Sequence, residues 1–412
     1  MMVDRGWMSA AEASRLLRVS RATLYAYVSR GFVRSQATAG SSRERRYSRD
    51  DVERLRRRTE ERRDPDKAVA RGLSWGVPVL SSSIALIDGQ RLFYRGHDAV
   101  ALSRSRSIEE IASLIWTGDF VARFPPPRRP STPAATDVTL PFVPRAQAAL
   151  ARGSVRDPHA FDLRAGSVPL TGWRILHLLT EAATLSRVSG ATIEATLGRA
   201  WGVGPRGVDV LRSALILSAD HELNVSSFTA RCVASAGSHP YAVVAAGLAA
   251  LGGTRHGGAS ARAESMLASL SSRRAGARRL EREGFSRATL QAAVADRLRR
   301  GETIDGFGHP LYRDGDPRAS ALLEQLRDRY RRSGELAFVL DVSDAAGSTL
   351  REKPNIDFAL AALVRVLRLP PGSALTLFAI GRTIGWIGHA IEQYESGQLI
   401  RPRARYVGVA PH

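Results

Sequence analysis

Residues 306–318, GFGHPLYRDGDPR, are the stretch that decides how this chain is interpreted. They place one histidine, His309, and two arginines, Arg313 and Arg318, around a turn rich in glycine and proline. A proline in the first turn favours a helix that begins at the end of the stretch. Guanidinium groups in such a setting bind carboxylate or phosphate through paired hydrogen bonds. The stretch therefore predicts an anion-binding turn in front of a helix.

Three further polar clusters surround this stretch along the chain. They are DHELN at 220–224, GTRHGG at 253–258 and PNIDF at 354–358. The first is predicted to begin a helix and lacks the second histidine that a zinc-protease motif requires. In the second, glycines let the backbone approach a substrate, and a helix N-terminus favours a neutral His256. In the third, apolar neighbours raise the pKa of Asp357, which suits a general base.

Each cluster also has an ordinary structural explanation when it is taken alone. A histidine at a helix start or between two helices is usually a hydrogen-bonded structural residue, and an aspartate at a helix N-terminus is usually a favourable partner of the helix dipole. The sequence GVGPRG at 202–207 matches a dinucleotide-binding pattern, but it follows a helix rather than a strand. We therefore expect no dinucleotide site there.

The last long apolar segment, 375–391, contains Arg382 at its centre. A central arginine costs about 2.5–3.5 kcal/mol in a lipid bilayer, so the segment predicts a buried core helix rather than a membrane span. Arg382, Trp386 and His389 share one face of this helix. A buried arginine needs an anion, either an acidic residue or a substrate carboxylate.

Composition sets the limits of the interpretation. The chain has 412 residues and a net charge of +20, with two or three domains expected. The charge suggests an anionic partner, although a strong preference for Arg over Lys can also reflect genome composition. Cys232 is the single cysteine, which excludes an internal disulfide and a cysteine-rich metal site. We expect a cytoplasmic protein, no metal and no cofactor, and the N-terminus does not read as a secretion signal.

Residues 1–60 are predicted to form a separate helix-turn-helix domain, followed by a charged linker at 61–74. Ser9 and Glu12 make a capping box for a first helix, and Ser20 caps a second helix from Arg21 to Val28. A basic loop and a third helix follow, which is the layout of a DNA reader.

The stretch 7–58 resembles the winged-helix domains of the MerR and excisionase kind. The resemblance implies a DNA partner, with phosphates and bases contacted by one group of side chains. The group is Arg21, Thr23, Tyr25, Arg30, Arg43, Arg45 and Arg46. The alternative is a domain kept for packing or dimer contacts.

Beyond the linker the pattern is almost entirely helical, which predicts an all-α body. The exception is SSSIALIDGQRLFYRGHDA, which predicts a hairpin around Asp88-Gly89. A Pro-rich loop interrupts the pattern at 125–133. Helices are expected near 141–152, 171–187, 190–201, 206–219, 221–236, 239–252, 257–271, 285–299, 317–333, 335–347, 355–368 and 373–395.

The order and spacing of these motifs over residues 75–412 resemble the citrate synthase family. The matching pieces include ADHELNVSSF, GTRHGG, GFGHPLYRDGDPR, PNIDF and GRTIGW. The resemblance implies an all-α homodimer. Its large domain would comprise 75–255 and 370–412, and its small domain 256–369.

The resemblance also implies roles for individual residues. Asp357 would take a methyl proton from acetyl-CoA, while His256 would bind the thioester oxygen and His309 would polarise the ketone of oxaloacetate. The residues implied to bind oxaloacetate are His221, His309, Arg318, Arg382 and, from the partner subunit, Arg401. The residues implied to bind CoA are Arg313, Gly306, Phe307 and Gly308.

Three departures from the family pattern bear on substrate preference. Thr254-Arg255 replaces the usual Pro-Leu before His256, Ala359-Leu360-Ala361 follows the Asp-Phe pair, and Ser218 replaces a frequent histidine. We expect Arg255 to depress protonation of His256 or to contact CoA. The leading hypothesis is a citrate synthase, and the alternatives are a 2-methylcitrate synthase that uses propionyl-CoA or a DNA-binding regulator whose body senses a metabolite.

Overall fold

The structure is a computed structural model that describes most of the chain. The described residues are 6–38, 41–63, 80–121, 124–125, 139–186, 192–280, 287–404 and 406–409. Within these ranges, the side chains of 38, 41–44, 57–63, 272–280 and 287 are not described. The chain divides into two compact units, Met1–Ser81 and Ser82–His412.

The first unit begins with β1 (Trp7–Ser9), α1 (Ala10–Leu17) and α2 (Arg21–Ser29). The predicted capping box is present, because Ser9 Oγ accepts from Glu12 N at 3.2 Å and the Glu12 carboxylate accepts from Ser9 N at 2.8 Å. Ser20 Oγ accepts from Thr23 N at 3.1 Å and caps α2 as expected.

A wing completes this unit. Strands β2 (Ser35–Thr38) and β3 (Ser41–Ser48) pair antiparallel, the sheet order is β1-β3-β2, and α3 (Arg49–Arg63) follows. The core of the unit consists of Met8, Ala13, Leu17, Leu24, Val33, Tyr47 and Val52. These apolar residues hold both helices against the sheet, which gives the predicted winged helix-turn-helix.

The second unit opens with the predicted hairpin, β4 (Ala85–Asp88) and β5 (Arg91–Tyr94). Gly89 has φ +59, which glycine adopts without strain in such a turn. A short third strand, β6 (His97–Asp98), extends the sheet beyond the prediction.

The remaining named elements of the described residues are all helices, as predicted. They are α4 (Ala99–Ser105), α5 (Ile108–Thr117), α6 (Phe142–Arg156), α7 (Val168–Thr184), α8 (Ile193–Ala200), α9 (Pro205–Leu217), α10 (Val225–Ser235), α11 (Pro240–Leu251), α12 (Gly258–Leu280), α13 (Arg287–Arg299), α14 (Pro317–Tyr330), α15 (Gly334–Leu350), α16 (Ile356–Leu367) and α17 (Ser373–Ser396).

One predicted helix start is wrong. The helix expected from 221 begins at Val225, because Asn224 Oδ1 accepts from Ser226 N and Ser227 N at 3.1 Å and forms the N-cap. Glu222 has φ +52, so the chain turns sharply just before the cap. His221 therefore lies in a loop, where its ring is oriented by tertiary contacts.

Helix α17 is the core helix predicted from its central arginine. It is long and apolar enough to cross a membrane, but 94% of its apolar window is buried inside the fold. At Gly381 its backbone packs against the last turn of α9, and at Gly385 against Ala219 just after that helix; a β-carbon at either position would collide with a backbone oxygen. This close approach brings Arg382 beside Ser218.

Several domain predictions cannot be compared with the structure. Most of the linker predicted at 61–74 and of the Pro-rich loop at 125–133 lies outside the described residues, as does the side chain of Arg43. The division of the body into a large domain (75–255 and 370–412) and a small domain (256–369) stays a prediction.

Candidate active site

The predicted base and both predicted hydrogen-bond donors lie around one site. Arg318 and Arg382 each influence the ionisation of Asp357 or of the histidines His221, His256 and His309. Water screens charges strongly, so an arginine influences several groups in this way only when they lie near it in a poorly solvated region. Segments that are far apart in sequence therefore converge on one cluster.

Asp357 lies in the first turn of α16, where its backbone N–H donates to the N-cap Asn355 Oδ1 at 3.0 Å. Burial raises the pKa of the Asp357 carboxyl to about 6, although a hydrogen bond from Ser260 and the charge of Arg318 oppose the rise. A carboxylate of this basicity is ionised at pH 7 and is a better base than an exposed aspartate. The burial of this carboxyl agrees with the raised pKa expected from its apolar neighbours.

His256 precedes α12 and is partly buried. Its Nε2 lies 2.8 Å from Ser226 Oγ, and its ring meets Phe378 edge-on at 6.1 Å. Burial, followed by the nearby charge of Arg382, lowers the pKa of His256 to about 4. The ring is therefore neutral at pH 7, as expected, with desolvation as the main cause.

Arg255 does not act on His256 as we expected. Its side chain is exposed, and the lowered pKa of His256 is due to burial and to Arg382. Water screens an exposed charge, which explains why a sequence neighbour matters less than an arginine from a distant helix.

The Ser226 hydroxyl contacts His256 and two other polar groups. It is fully buried, accepts from Trp386 Nε1 at 3.1 Å and lies 2.8 Å from Asn224 Oδ1. Because Trp386 is only a donor, the single hydroxyl hydrogen is left for Asn224 or for His256 Nε2. When His256 receives it, the neutral ring carries its own hydrogen on Nδ1, which can then donate to a ligand.

His309 lies in the loop that precedes α14. Its Nδ1 accepts from Leu311 N at 3.1 Å, so the neutral ring carries its hydrogen on Nε2. Burial and the charge of Arg318 lower the pKa of His309 to about 4. The ring meets His221 edge-on at 5.1 Å, and His221 Nε2 lies 3.0 Å from Tyr312 Oη. Burial holds the pKa of His221 well below its usual value, so this pair is uncharged at pH 7.

Two buried arginines line the same region. Arg318 donates from Nε and Nη2 to Asp316 at 2.9 and 2.8 Å, and Asp316 also accepts from Ile356 N at 3.0 Å. One carboxylate thus joins the start of α14 to the start of α16. Burial opposes ionisation of Asp316, but the charge of Arg318 outweighs it and lowers the pKa of Asp316.

Arg382 is less completely paired. It is 1% exposed, and its Nε donates to Ser218 O at 2.8 Å. Within the described residues, its buried Nη2 has no hydrogen-bond partner. Burial lowers the pKa of Arg382 to about 10, and the nearby Asp220 carboxylate opposes that effect. An incompletely paired buried cation is suited to a ligand carboxylate.

The loop 306–308 is held against the segment before α16. Gly308 N donates to Lys353 O at 2.9 Å, Asn355 N donates to Gly306 O at 2.8 Å, and Phe307 packs on Phe358 with ring centroids 4.9 Å apart. These contacts hold the backbone that is predicted to bind CoA beside α16, the helix that carries Asp357 (the base helix).

The next part of the loop is held by the hairpin. With its amide nitrogen towards Gly315 O at 3.1 Å, Gln90 accepts from Arg313 N and Asp314 N at 3.2 Å. The Arg313 side chain itself is exposed. The hairpin motif thus supports the site, a role that its sequence pattern did not indicate.

One predicted site residue lies apart from the others, and several residues of the site were not predicted from the sequence. Arg401 is exposed, and the single chain does not bring it into the cluster. Ser260, which bonds to Asp357, gave no motif signal, because a lone serine in a helix is common. Asp316 and Ser226 stood inside quoted motifs, but only the fold shows that they join two helices and orient His256.

The predicted DNA-facing side chains lie on the first unit. Arg21, Tyr25, Arg30, Arg45 and Arg46 are exposed. Thr23 is partly buried, and its hydroxyl lies 2.9 Å from Ser20 Oγ within the helix cap. Thr23 is therefore engaged in capping α2.

Comparison with protein families identifies both units. Residues 160–403 match the model described as "Citrate synthase, C-terminal domain", and residues 7–59 match "Helix-turn-helix domain". Citrate synthase 2 of Bacillus subtilis is 36% identical over 207 residues, which is 50% of this chain and 52% of that protein. The alignment thus spans about half the length of that relative.

Other relatives align over most of their length. The citrate synthase of Haloferax volcanii is 29% identical across 82% of this chain and 95% of its own. The 2-methylcitrate synthase of Shewanella oneidensis is 27% identical across 83% and 94%.

Solved structures share the fold. The citrate synthase of Pyrobaculum aerophilum matches with a TM-score of 0.65 and 25% identity over 82% of this chain and 92% of its own. A Thermoplasma acidophilum citrate synthase, solved with carboxymethyl coenzyme A and oxaloacetate, matches with a TM-score of 0.63 and 24% identity over 83% and 97%.

Proposed function

This chain belongs to the citrate synthase family, and we propose that it condenses acetyl-CoA with oxaloacetate to give citrate and CoA. The observation that carries this proposal is the cluster itself. One carboxylate with a pKa of about 6 shares a site with two neutral histidines and two buried arginines. An enolisation followed by an addition to a keto acid needs these groups.

In the first step, Asp357 takes a proton from the methyl group of acetyl-CoA. His256 donates a hydrogen bond to the thioester oxygen, where negative charge develops as the C–H bond breaks. A carboxylate is a weak base for a carbon acid, so stabilising that oxygen is as important as removing the proton. The ring donates from Nδ1 when the Ser226 hydroxyl gives its hydrogen to His256 Nε2 rather than to Asn224 Oδ1.

In the second step, the enol carbon attacks the ketone carbon of oxaloacetate. His309 Nε2 donates to the ketone oxygen as it becomes an alkoxide and is protonated. Arg318 and Arg382 bind the carboxylates of oxaloacetate, with His221 beside them. The resulting citryl thioester is then hydrolysed by water, which releases CoA and citrate.

Two features of the site support binding of CoA. The backbone of Gly306, Phe307 and Gly308 lies beside the base helix, and the exposed Arg313 is suited to a phosphate. The structural neighbour from Thermoplasma acidophilum was solved with a CoA derivative and oxaloacetate. Side chains carry every step, so we propose that no cofactor or metal is needed and that EDTA leaves turnover unchanged.

Release of CoA thiol in the presence of oxaloacetate tests the proposal. Wild-type protein should turn over acetyl-CoA, and Asp357→Ala should lose at least about 1,000-fold in kcat, because the base is removed while the rest of the site remains. The Arg164→Ala variant, which changes an exposed arginine paired with Asp162, serves as control. Turnover that is unaffected by Asp357→Ala would contradict the assignment.

The same assay with propionyl-CoA tests the alternative, a 2-methylcitrate synthase. This alternative is favoured by the relative from Shewanella oneidensis. One extra methylene group changes substrate discrimination by only about 1–3 kcal/mol. The ratio of the kcat/KM values for acetyl-CoA and propionyl-CoA therefore decides between the two activities.

A second candidate function is DNA binding by the first unit. It is supported by the helix-turn-helix match over 7–59 and by the exposed Arg21, Arg30, Arg45 and Arg46. The protein should be retained on DNA from upstream of its own gene and released by salt, because phosphate contacts release counterions. Arg21→Ala should weaken retention and Arg164→Ala should not; retention that is independent of both salt and Arg21 contradicts this function.

The catalytic assay also separates an enzyme from a regulator. If the protein binds DNA but does not release CoA from any acyl-CoA, the body serves as a metabolite sensor. If it does both, the two functions coexist in one chain.

We further propose a cytoplasmic homodimer in which Arg401 reaches the partner's site. Large apolar side chains remain exposed in the single chain, including Val155 at 88%, Phe161 at 74% and Val407 at 89%. Burial against a second copy would remove such surface from water. A dimer would also present two DNA readers with two-fold symmetry.

A further inference from the structure

A buried serine touches the carboxylate that acts as base. Ser260 is the third residue of α12 and is 0% exposed. Its hydroxyl donates to Asp357 Oδ1 in a short hydrogen bond. None of the steps proposed above uses this contact.

The position of Ser260 is set by the turn that carries His256. Ala259 N donates to His256 O at 2.9 Å, and Ser260 N donates to Gly257 O at 3.1 Å. Gly257 is packed so tightly against Leu251 that a β-carbon there would collide with it. The serine is therefore held by the same rigid turn as the histidine.

The cation on the same helix as Ser260 does not take the place of the serine at Asp357. Arg262, two residues further along α12, donates from Nε to Asp305 Oδ1 at 2.9 Å and forms an ion pair with it. Among the described residues, the bond from Ser260 is the one hydrogen bond that we find to the Asp357 carboxylate. A neutral donor orients a carboxylate while adding no charge beside it, so the base keeps more of its proton affinity than it would beside a bonded cation.

We propose that Ser260 is a positioning residue for the base: its buried hydroxyl holds Oδ1 of Asp357 and thereby presents Oδ2 to the acyl-CoA methyl group. This inference rests on the proposed function. It also explains how Asp357 and His256 keep a fixed relative position, because Ser260 and His256 belong to one turn. Proton abstraction depends on such alignment, since a small displacement of a reacting group costs a large part of the rate.

Ser260→Ala tests the role. The hydroxyl favours the ionised carboxylate, so its removal raises the pKa of Asp357 above about 6. The acidic limb of kcat/KM should move to higher pH by about one unit. The plateau value of kcat at high pH should fall about tenfold, with KM changed less than about threefold, because the base is then poorly aligned.

The pair Ser260→Thr and Ser260→Val separates the hydroxyl from packing. Both side chains add similar volume, but only threonine keeps the donor, so threonine should retain several times more plateau activity than valine. Ser103→Ala removes another fully buried hydroxyl, one that donates to Val100 O at 2.8 Å, and should leave the plateau unchanged. A plateau within twofold of wild type in Ser260→Ala, or equal losses in the threonine and valine variants, overturns the proposal.

A measurement that does not depend on turnover distinguishes the role of Ser260 from the proposed enzymatic function. Carbon-13 NMR of protein labelled at aspartate carboxyls follows Asp357 directly, with its signal assigned from Asp357→Asn. Ser260→Ala should raise the pKa of Asp357 measured in this way, whether or not the protein releases CoA. An unchanged titration refutes the contact with Ser260, whereas a wild-type protein without turnover refutes the enzymatic function.

Discussion

At the scale of single residues, the site depends on charges held where water solvates them poorly. Arg382 is buried beside Asp220, and Arg318 is paired with Asp316, while Asp357 keeps a raised pKa. Each arrangement costs folding free energy unless partners compensate for it. Asp357 is the least compensated, because a single neutral hydroxyl is bonded to its carboxylate in the described structure.

Because the buried charge of Asp357 is poorly compensated, we expect Asp357→Asn to stabilise the protein while abolishing turnover. The pKa of Asp357 is raised from 3.8 to about 6 on folding. Below pH 4 the group is protonated in both states; as pH rises from 4 to 6 the unfolded state ionises first, so stability is lost, and the penalty is complete above pH 6. Asparagine should remove a penalty on the order of 1–3 kcal/mol at pH 7.

Thermal unfolding of both proteins at pH 7 and at pH 4 measures this effect. Asp357→Asn should unfold at a higher temperature at pH 7, and the difference should be much smaller at pH 4, where the folded-state aspartate is neutral and the unfolded one is only partly ionised. A variant that is less stable than wild type at pH 7 would contradict the raised pKa.

At the scale of elements, the ends of helices and the turns before them build the site. Asp357 lies at the start of α16, Arg318 at the start of α14 and His256 just before α12. The loop 306–308 fits between them because of its glycines. Gly306 has φ +93, and a β-carbon there would lie 2.7 Å from Phe358 Cβ.

Gly306→Ala should therefore destabilise the second unit more than Gly301→Ala. Both glycines have positive φ, so alanine costs about 1–3 kcal/mol of backbone strain at either position. Gly301 has open space around it, with nothing within 4 Å of an added β-carbon. Only Gly306→Ala adds a steric clash with the base helix.

Denaturant unfolding and the KM for acetyl-CoA measure the difference. The variant at 306 should show the lower unfolding midpoint and a raised KM, while the variant at 301 should keep the KM of wild type. Equal effects of the two substitutions would show that backbone strain alone matters.

At the scale of the whole molecule, the proposed homodimer, in which Arg401 reaches the partner's site, predicts that active sites are shared between subunits. When Arg401→Ala and Asp357→Asn proteins are unfolded together and refolded, half of the dimers are mixed, and one site of each mixed dimer has both functional residues. The mixture should recover about one quarter of wild-type activity, although each variant alone is nearly inactive.

The mixing experiment has a clear opposite outcome. If Arg401 served the site of its own chain, each site of a mixed dimer would lack either Arg401 or Asp357. The mixture would then be as inactive as its parents. Refolded wild-type protein controls for the yield of refolding.

Local signals were sufficient to predict most of the elements of this protein. The capping box at Ser9, the glycine turn of the hairpin and the apolar period of α17 depend on neighbours in sequence, which is why the sequence predicts them well. The start of α10 was misplaced, because Asn224 caps the helix and competes with a continuous helical pattern before it. The residues around Asp357, His256 and His309 were recognised from motifs whose order resembles one family.

What the sequence determined by itself is thus the order of helices, the separate helix-turn-helix unit at the N-terminus and the residue types of the candidate site. Only the tertiary structure decided that Ser260 bonds to Asp357, that Asp316 joins two helix starts, and that the charge acting on His256 is that of Arg382 rather than of Arg255. The physical reason is that pKa values and hydrogen bonds depend on burial and distance in space, and residues from separate helices acquire both only when the core packs.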